Sequence, residues 1–142
     1  DRDAAMLLFW AGQAMFLLTY SMAGVSKLAT AAWQTYHGEA SIFTVRGCAS
    51  MAAGYILEKG RLGPAGMGLK EAGLLPALLF AATCAEIGAL ALAFRGRWHR
   101  AAGILVVAFH MLTYMVMGIY FKSSVLLAAV LLLGSPFTPR DD

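Results

Sequence analysis

The chain has 142 residues, 60% of them hydrophobic and 13% charged, with a mean hydropathy of +0.69 and a formal charge of +3. A soluble domain carries about 25% charged residues, so this much apolar surface needs a bilayer as solvent. The small positive charge, scattered at loop ends, gives no footprint for nucleic acid and reads instead as topology signals and head-group contacts. The expected fold is all-α: one transmembrane helical domain over residues 1–142, an integral membrane bundle with four or five membrane-embedded segments.

The first span is read from Ala4 to Ser26, directly after Asp1-Arg2-Asp3. It is too long, with no clear cleavage site, for a removed leader. Residues 29–40 look like an interfacial helix or turn, because Trp33, Tyr36 and His37 are amphipathic anchors. Residues 41–57 hold Arg46 and Cys48 and then turn apolar, which suggests a short, tilted or re-entrant span. Residues 58–71 carry Gly60, Gly63, Pro64, Gly66 and Gly68 among charges and read as a flexible loop. A second long span runs from Ala72 to Phe94 and a third from Ala101 to Phe121. After Lys122 a short apolar segment, Ser123 to Leu133, ends at Gly134-Ser135-Pro136. The two-residue alternation of a membrane barrel is absent. Cys48 and Cys84 form no CxxC and read as buried thiols.

The short basic turn Arg95–Arg100 between two spans is expected on the cytoplasmic side. The side of the N-terminus then depends on residues 41–57. If they cross, the N-terminus is external; if they are re-entrant, it is cytoplasmic.

An ionisable group inside a span costs roughly 2.5–3.5 kcal/mol on insertion scales, so Lys27, Glu86 and His110 ask for an explanation. Gln13, Tyr20 and Lys27 are spaced by sevens, which puts them on one helical stripe. Ala23 and Gly24, a turn before Lys27, permit another backbone to approach. Lys27 is either an anchor snorkelling to the interface or a desolvated amine able to act as a base. Glu86 is either a structural hydrogen-bonder or a proton-relay carboxylate, and His110 either an interhelical contact or a catalyst. Their spacing makes no metal site. Phe109, Tyr114, Met117 and Tyr120 read first as packing, and such a soft aromatic lining also suits a flat lipophilic ring such as a quinone or hydroquinone.

The string Tyr20-x-x-Ala23-Gly24-x-x-Lys27-Leu28, followed by Trp33 and Gly38, resembles the signature of the HTTM domain, the membrane module of vitamin K-dependent gamma-carboxylase. The later series is similar in order: Glu86, a basic turn, Phe109-His110, Met117-Gly118-Ile119-x-Phe121, then Ser135-Pro136. The resemblance implies that Lys27 is the base that deprotonates a hydroquinone; on that reading Glu86 and His110 are the expected catalytic partners, and Tyr20, Tyr114 and Met117 are the residues expected near the ring. The large luminal domain of the carboxylase has no counterpart in these residues, and its lysine pair is Ser26-Lys27 here. The DoxX and MauE-like families also place Gly-x-x-Lys after a first span. Three functions therefore stand beside one another: a quinol-linked enzyme, a non-catalytic subunit of a larger redox or photosynthetic membrane complex, and a redox accessory protein.

Overall fold

A computed structural model describes residues 1–135, and these are predominantly helical, with no strand among the described residues. Pro136, the end of the expected final segment, lies outside them. The helices are α1 (Arg2–Tyr36), α2 (Val45–Lys59), α3 (Gly66–Glu71), α4 (Leu75–Ala93), α5 (His99–Met117) and α6 (Lys122–Ala128), which widens into a π turn at Ala129–Leu133. A 3-10 turn, Gly96–Trp98, joins α4 to α5. Three helical segments are long and apolar enough to cross a membrane: Arg2–Tyr36, Leu75–Ala93 and Gly96–Met117. The other two expected segments, α2 and Lys122–Leu133, are helical but shorter than a crossing requires.

Four local features depart from the sequence expectation. The first helix does not stop at Ser26: Arg2–Tyr36 contains no proline, and the helix runs on through Lys27 until His37-Gly38. At about 1.5 Å per residue it is roughly 52 Å long, well beyond the ~30 Å hydrocarbon core. The expected interfacial stretch is thus its last turns, where Trp33 and Tyr36 are exposed and both rings meet His37. The loop 58–71 is structured as well: Gly63 N–H donates to Val116 O and Ala65 N–H to Met115 O, satisfying carbonyls that the end of α5 leaves open. The third span ends at Met117 rather than Phe121, because Gly118 adopts φ +72, a left-handed cap that suits glycine. Finally, Cys84 is exposed while Cys48 is buried, and neither is in a disulfide.

Polar contacts set the helix directions. Trp10 Nε1 donates to Ala93 O near one end of α1, and Ser21 and Lys27 meet Glu86 further along, so α1 and α4 are antiparallel. Residues 37–74 consequently begin and end at the same end of the bundle, and α2 returns rather than crossing as a separate span. Helix α5 runs back from the basic turn, and the final segment descends along it, with Phe121 on His110 and Leu132 on Gly103. The main core is built largely of small residues, with Ala89, Ala93, Ala102 and Ala128 around Leu17, Val106 and Leu132. Such residues let helix backbones close on one another where lipid offers no hydrophobic drive.

Gly24 is the tightest of these approaches between α1 and α4. A Cβ there would lie 2.8 Å from Ile87 Cγ1, 2.9 Å from Ile87 N and 3.0 Å from Glu86 Cβ. Gly24→Ala should therefore destabilise the protein by about 1–3 kcal/mol in reversible detergent unfolding. Gly54→Ala, at a site with nothing within 4 Å, should be neutral or stabilising. The helix directions make a second prediction. Single cysteines at Asp3 and Gly96, in a background lacking Cys48 and Cys84, should label from the same side of the membrane, and one at Gly38 from the other. Labelling of all three from one side would contradict the antiparallel arrangement.

Candidate functional site

The stripe on α1 reaches a different helical segment at each of its three polar residues. Gln13, fully buried, donates Nε2–H to Leu131 O at 2.6 Å and to Ser135 Oγ at 2.9 Å. Leu131 lies in the π turn, so the widened helix coincides with a carbonyl engaged from outside. Tyr20 reaches α5, its hydroxyl 2.5 Å from His110 Nε2. Lys27 reaches α4, its Nζ donating to Glu86 Oε1 at 2.5 Å and Oε2 at 2.6 Å. Between them, Ser21 Oγ lies 3.1 Å from both Glu86 O and Ile87 O and accepts from Leu90 N–H at 3.0 Å. Of the two small residues before Lys27, only Gly24 faces α4; Ala23 is exposed.

Of the three expected catalytic residues, two meet each other, and the third, His110, meets Tyr20, which was expected near the ring. Lys27 pairs with Glu86 and Tyr20 with His110, and among the described residues no hydrogen bond or ion pair joins Lys27 to Tyr20. Glu86 is 6% exposed and Lys27 31%, so the carboxylate is interior and the ammonium stands at an opening. An ammonium within hydrogen-bond reach of both oxygens gives the interior carboxylate its partner, and the attraction offsets part of the cost of burying it. His110 is 4% exposed and ringed by Tyr20, Phe109 and Phe121. Its Nδ1 has no hydrogen-bond partner among the described residues.

Lys27 opens on a cavity of about 220 Å³ between α1, α2, α4 and α5. Its wall is apolar and soft, with Met51, Leu79, Phe109, Leu112 and Met117 among the lining, together with Cys48 and Thr113. Cys48 Sγ is held against Ile42 O at 2.9 Å. Lys27 is the one charged side chain among the residues lining this cavity. Met51 and Leu112 are 39% and 45% exposed, so the cavity opens sideways on the bundle surface. A second cavity of about 70 Å³ lies on the other side of Phe109 and is bordered by Glu86 and Tyr20. Of the three residues expected near a ring, Met117 lines the larger cavity and Tyr20 the smaller. Tyr114 lines neither: it is 43% exposed, with its ring against Tyr120. Among the described residues no three His, Cys, Asp or Glu side chains converge as a metal site would require.

Sequence reasoning did not single out Phe109, Cys48 or Met51 as one wall. Their convergence depends on α2 folding back, which local pattern does not encode. Comparisons of this chain with protein-family models, with curated proteins and with solved structures return no match.

Breaking the ion pair gives a direct test of its weight. Lys27→Met leaves Glu86 buried without its partner and should cost about 3 kcal/mol, the low end for buried pairs because Lys27 is partly exposed. The double variant Lys27→Met/Glu86→Met should recover most of that loss in the same unfolding measurement.

Proposed function

We propose that this chain is an integral membrane protein that binds a flat lipophilic ring of quinone type in the cavity beside Lys27. The observation that carries this reading is a single ammonium, backed by an interior carboxylate, opening on a wall otherwise free of charge. Few polar groups in a mostly apolar concavity is the usual composition of a small-molecule site. At about 220 Å³ the space is smaller than the ~300–1,000 Å³ of drug-sized pockets. It fits a ring-sized head, with an apolar tail passing between Met51 and Leu112 into lipid. The likeness of Tyr20–Leu28 to the HTTM signature supports the same reading.

The pair defines what proton chemistry this site offers. A lysine already holding three protons accepts no more. Lys27 becomes a base once one proton moves to Glu86 across the 2.5 Å contact, leaving an amine beside a neutral acid. That amine can take the proton of a bound ring hydroxyl, and the pair then carries one proton more than before. Glu86 is thus the positioning and proton-storing partner of Lys27 in this scheme. By the positive-inside rule, Arg95–Arg100 faces the cytoplasm, which places the N-terminus there too and the Lys27 cavity towards the opposite surface.

The test uses the full chain in mild detergent. Titration calorimetry with a short-chain naphthoquinone should detect binding to wild type, loss of binding in the cavity-filling variant Leu79→Trp, and roughly tenfold weakening in Lys27→Met, the size of one charge-assisted hydrogen bond. Ionisation of the bound hydroquinone, followed anaerobically by absorbance, should be lost in Lys27→Arg, since guanidinium stays protonated. Equal binding by wild type and Leu79→Trp would rule out the cavity as the site. A second reading, a non-catalytic subunit of a larger membrane complex, is favoured by the two helices too short to cross, α2 and Lys122–Leu133. It prevails if the purified protein binds no quinone and migrates only within a larger assembly.

A further inference from the structure

Among the described residues, the ion pairs are Lys27–Glu86 and Lys59–Glu58, and Lys122 has none. The sequence places Lys122 between two apolar segments, at a membrane boundary. The fold places it elsewhere. Because α5 stops at Gly118, residues 118–121 turn back down the bundle, and Phe121 packs on His110 at a centroid distance of 5.1 Å. His110 is eleven residues into α5, roughly 16 Å from its start at the basic turn. The other end of the segment agrees: Leu131 is level with Gln13, and Lys122 lies nine residues before it, roughly 13 Å further along. Helix α5 spans roughly 27 Å in all. Lys122 therefore stands near the middle of a bilayer crossed by α4 and α5.

It also stands on the outside. Lys122, Tyr120 and Phe121 are exposed, as are Tyr114 and Met115 on the adjoining face of α5. The backbone here is irregular, and the N–H groups of Ile119, Tyr120 and Phe121 meet no acceptor among the described residues. Irregular backbone at this depth does not face lipid; it is covered by protein or lines water. Ionisable side chains in spans likewise pair with other groups. An exposed ammonium beside open N–H donors calls for a partner rich in negative charge.

The described residues of a second copy do not supply that partner. The chain's exposed carboxylates among the described residues, Asp1, Asp3, Glu39, Glu58 and Glu71, lie at helix ends or in connections, and Glu86 is buried on Lys27. We propose that the face formed by Lys122, Tyr120, Phe121, Tyr114 and Met115 docks a membrane-spanning helix of another protein that carries a carboxylate near the middle of its span. The inference rests on the membrane reading but not on quinone binding, and its residues are separate from the Lys27 cavity.

Full-length protein in phosphatidylcholine vesicles tests it with two synthetic leucine-rich spanning peptides, one with a single central Glu and one with Leu in its place. Energy transfer between labelled protein and peptide should show a preference of about tenfold for the Glu peptide, as one interhelical polar contact provides. Lys122→Leu should abolish the preference and Lys122→Arg should keep it, while Lys27→Met should leave it unchanged. Equal association of both peptides, or a preference that survives Lys122→Leu, overturns the proposal. So does a spin label at Lys122→Cys that is reached by aqueous nickel chelate rather than by oxygen, since Lys122 would then sit at the water boundary. Failure of naphthoquinone binding has no bearing on these outcomes.

Discussion

The approach of α1 to α4 at Gly24 is the constraint on which the rest depends. With no side chain at that position, the α1 backbone closes onto Glu86 and Ile87. Only at that separation does Ser21 reach the carbonyls of α4, and only then does Lys27 lie over the Glu86 carboxylate. A methyl group in the gap would push against α4 backbone, which cannot rotate away as a side-chain tip could. The ion pair is therefore a consequence of close packing and also its lock. Once formed in surroundings of low dielectric, it resists any sliding that would separate the charges.

Register along α1 is specified by polar contacts because apolar ones cannot specify it. Helix α4 is hydrophobic on nearly every face, and in lipid one leucine-rich surface packs about as well as another. Gln13, Tyr20 and Lys27 remove that degeneracy by engaging the final segment, α5 and α4 in turn. Each contact fixes one neighbour's rotation and depth. Three such contacts on a single stripe make α1 the axis around which the other crossings are ordered. The cavity beside Lys27 is the space left where α2, too short to cross, covers the α4–α5 seam from one end.

The membrane-type composition, the all-helical fold and the approximate positions of the three long helices were legible in the sequence, because length and hydropathy alone determine them. So was the fact that Gln13, Tyr20 and Lys27 share a protein-facing stripe. What could not be read was pairing. Nothing in the spacing says that Tyr20 takes His110 while Lys27 takes Glu86, since that depends on how far α4 and α5 are displaced along α1. The length of α1 was underestimated because Lys27 and the aromatic, polar residues 29–36 resemble an interface, although no helix breaker lies among them. The composition of the Gly-rich stretch 58–71 suggests a loop. Its glycines instead accompany a tight passage over the end of α5. The depth of Lys122 was hidden for a related reason: Gly118 ends α5 early, and only tertiary packing shows where the chain goes next.

That passage over α5 also orders the assembly of the protein in time. Gly63 and Ala65 donate to the carbonyls of Val116 and Met115, and Val116 follows Gly63 by 53 positions (116 minus 63). At roughly 5–20 residues per second of synthesis, the covering segment is made on the order of 3–10 seconds before the helix that receives it. During that interval α1 and α4 can already be locked by Gly24 and the ion pair, but one wall of the cavity does not yet exist. The space beside Lys27 therefore takes its last wall from α5, the latest made of the four helices that line it.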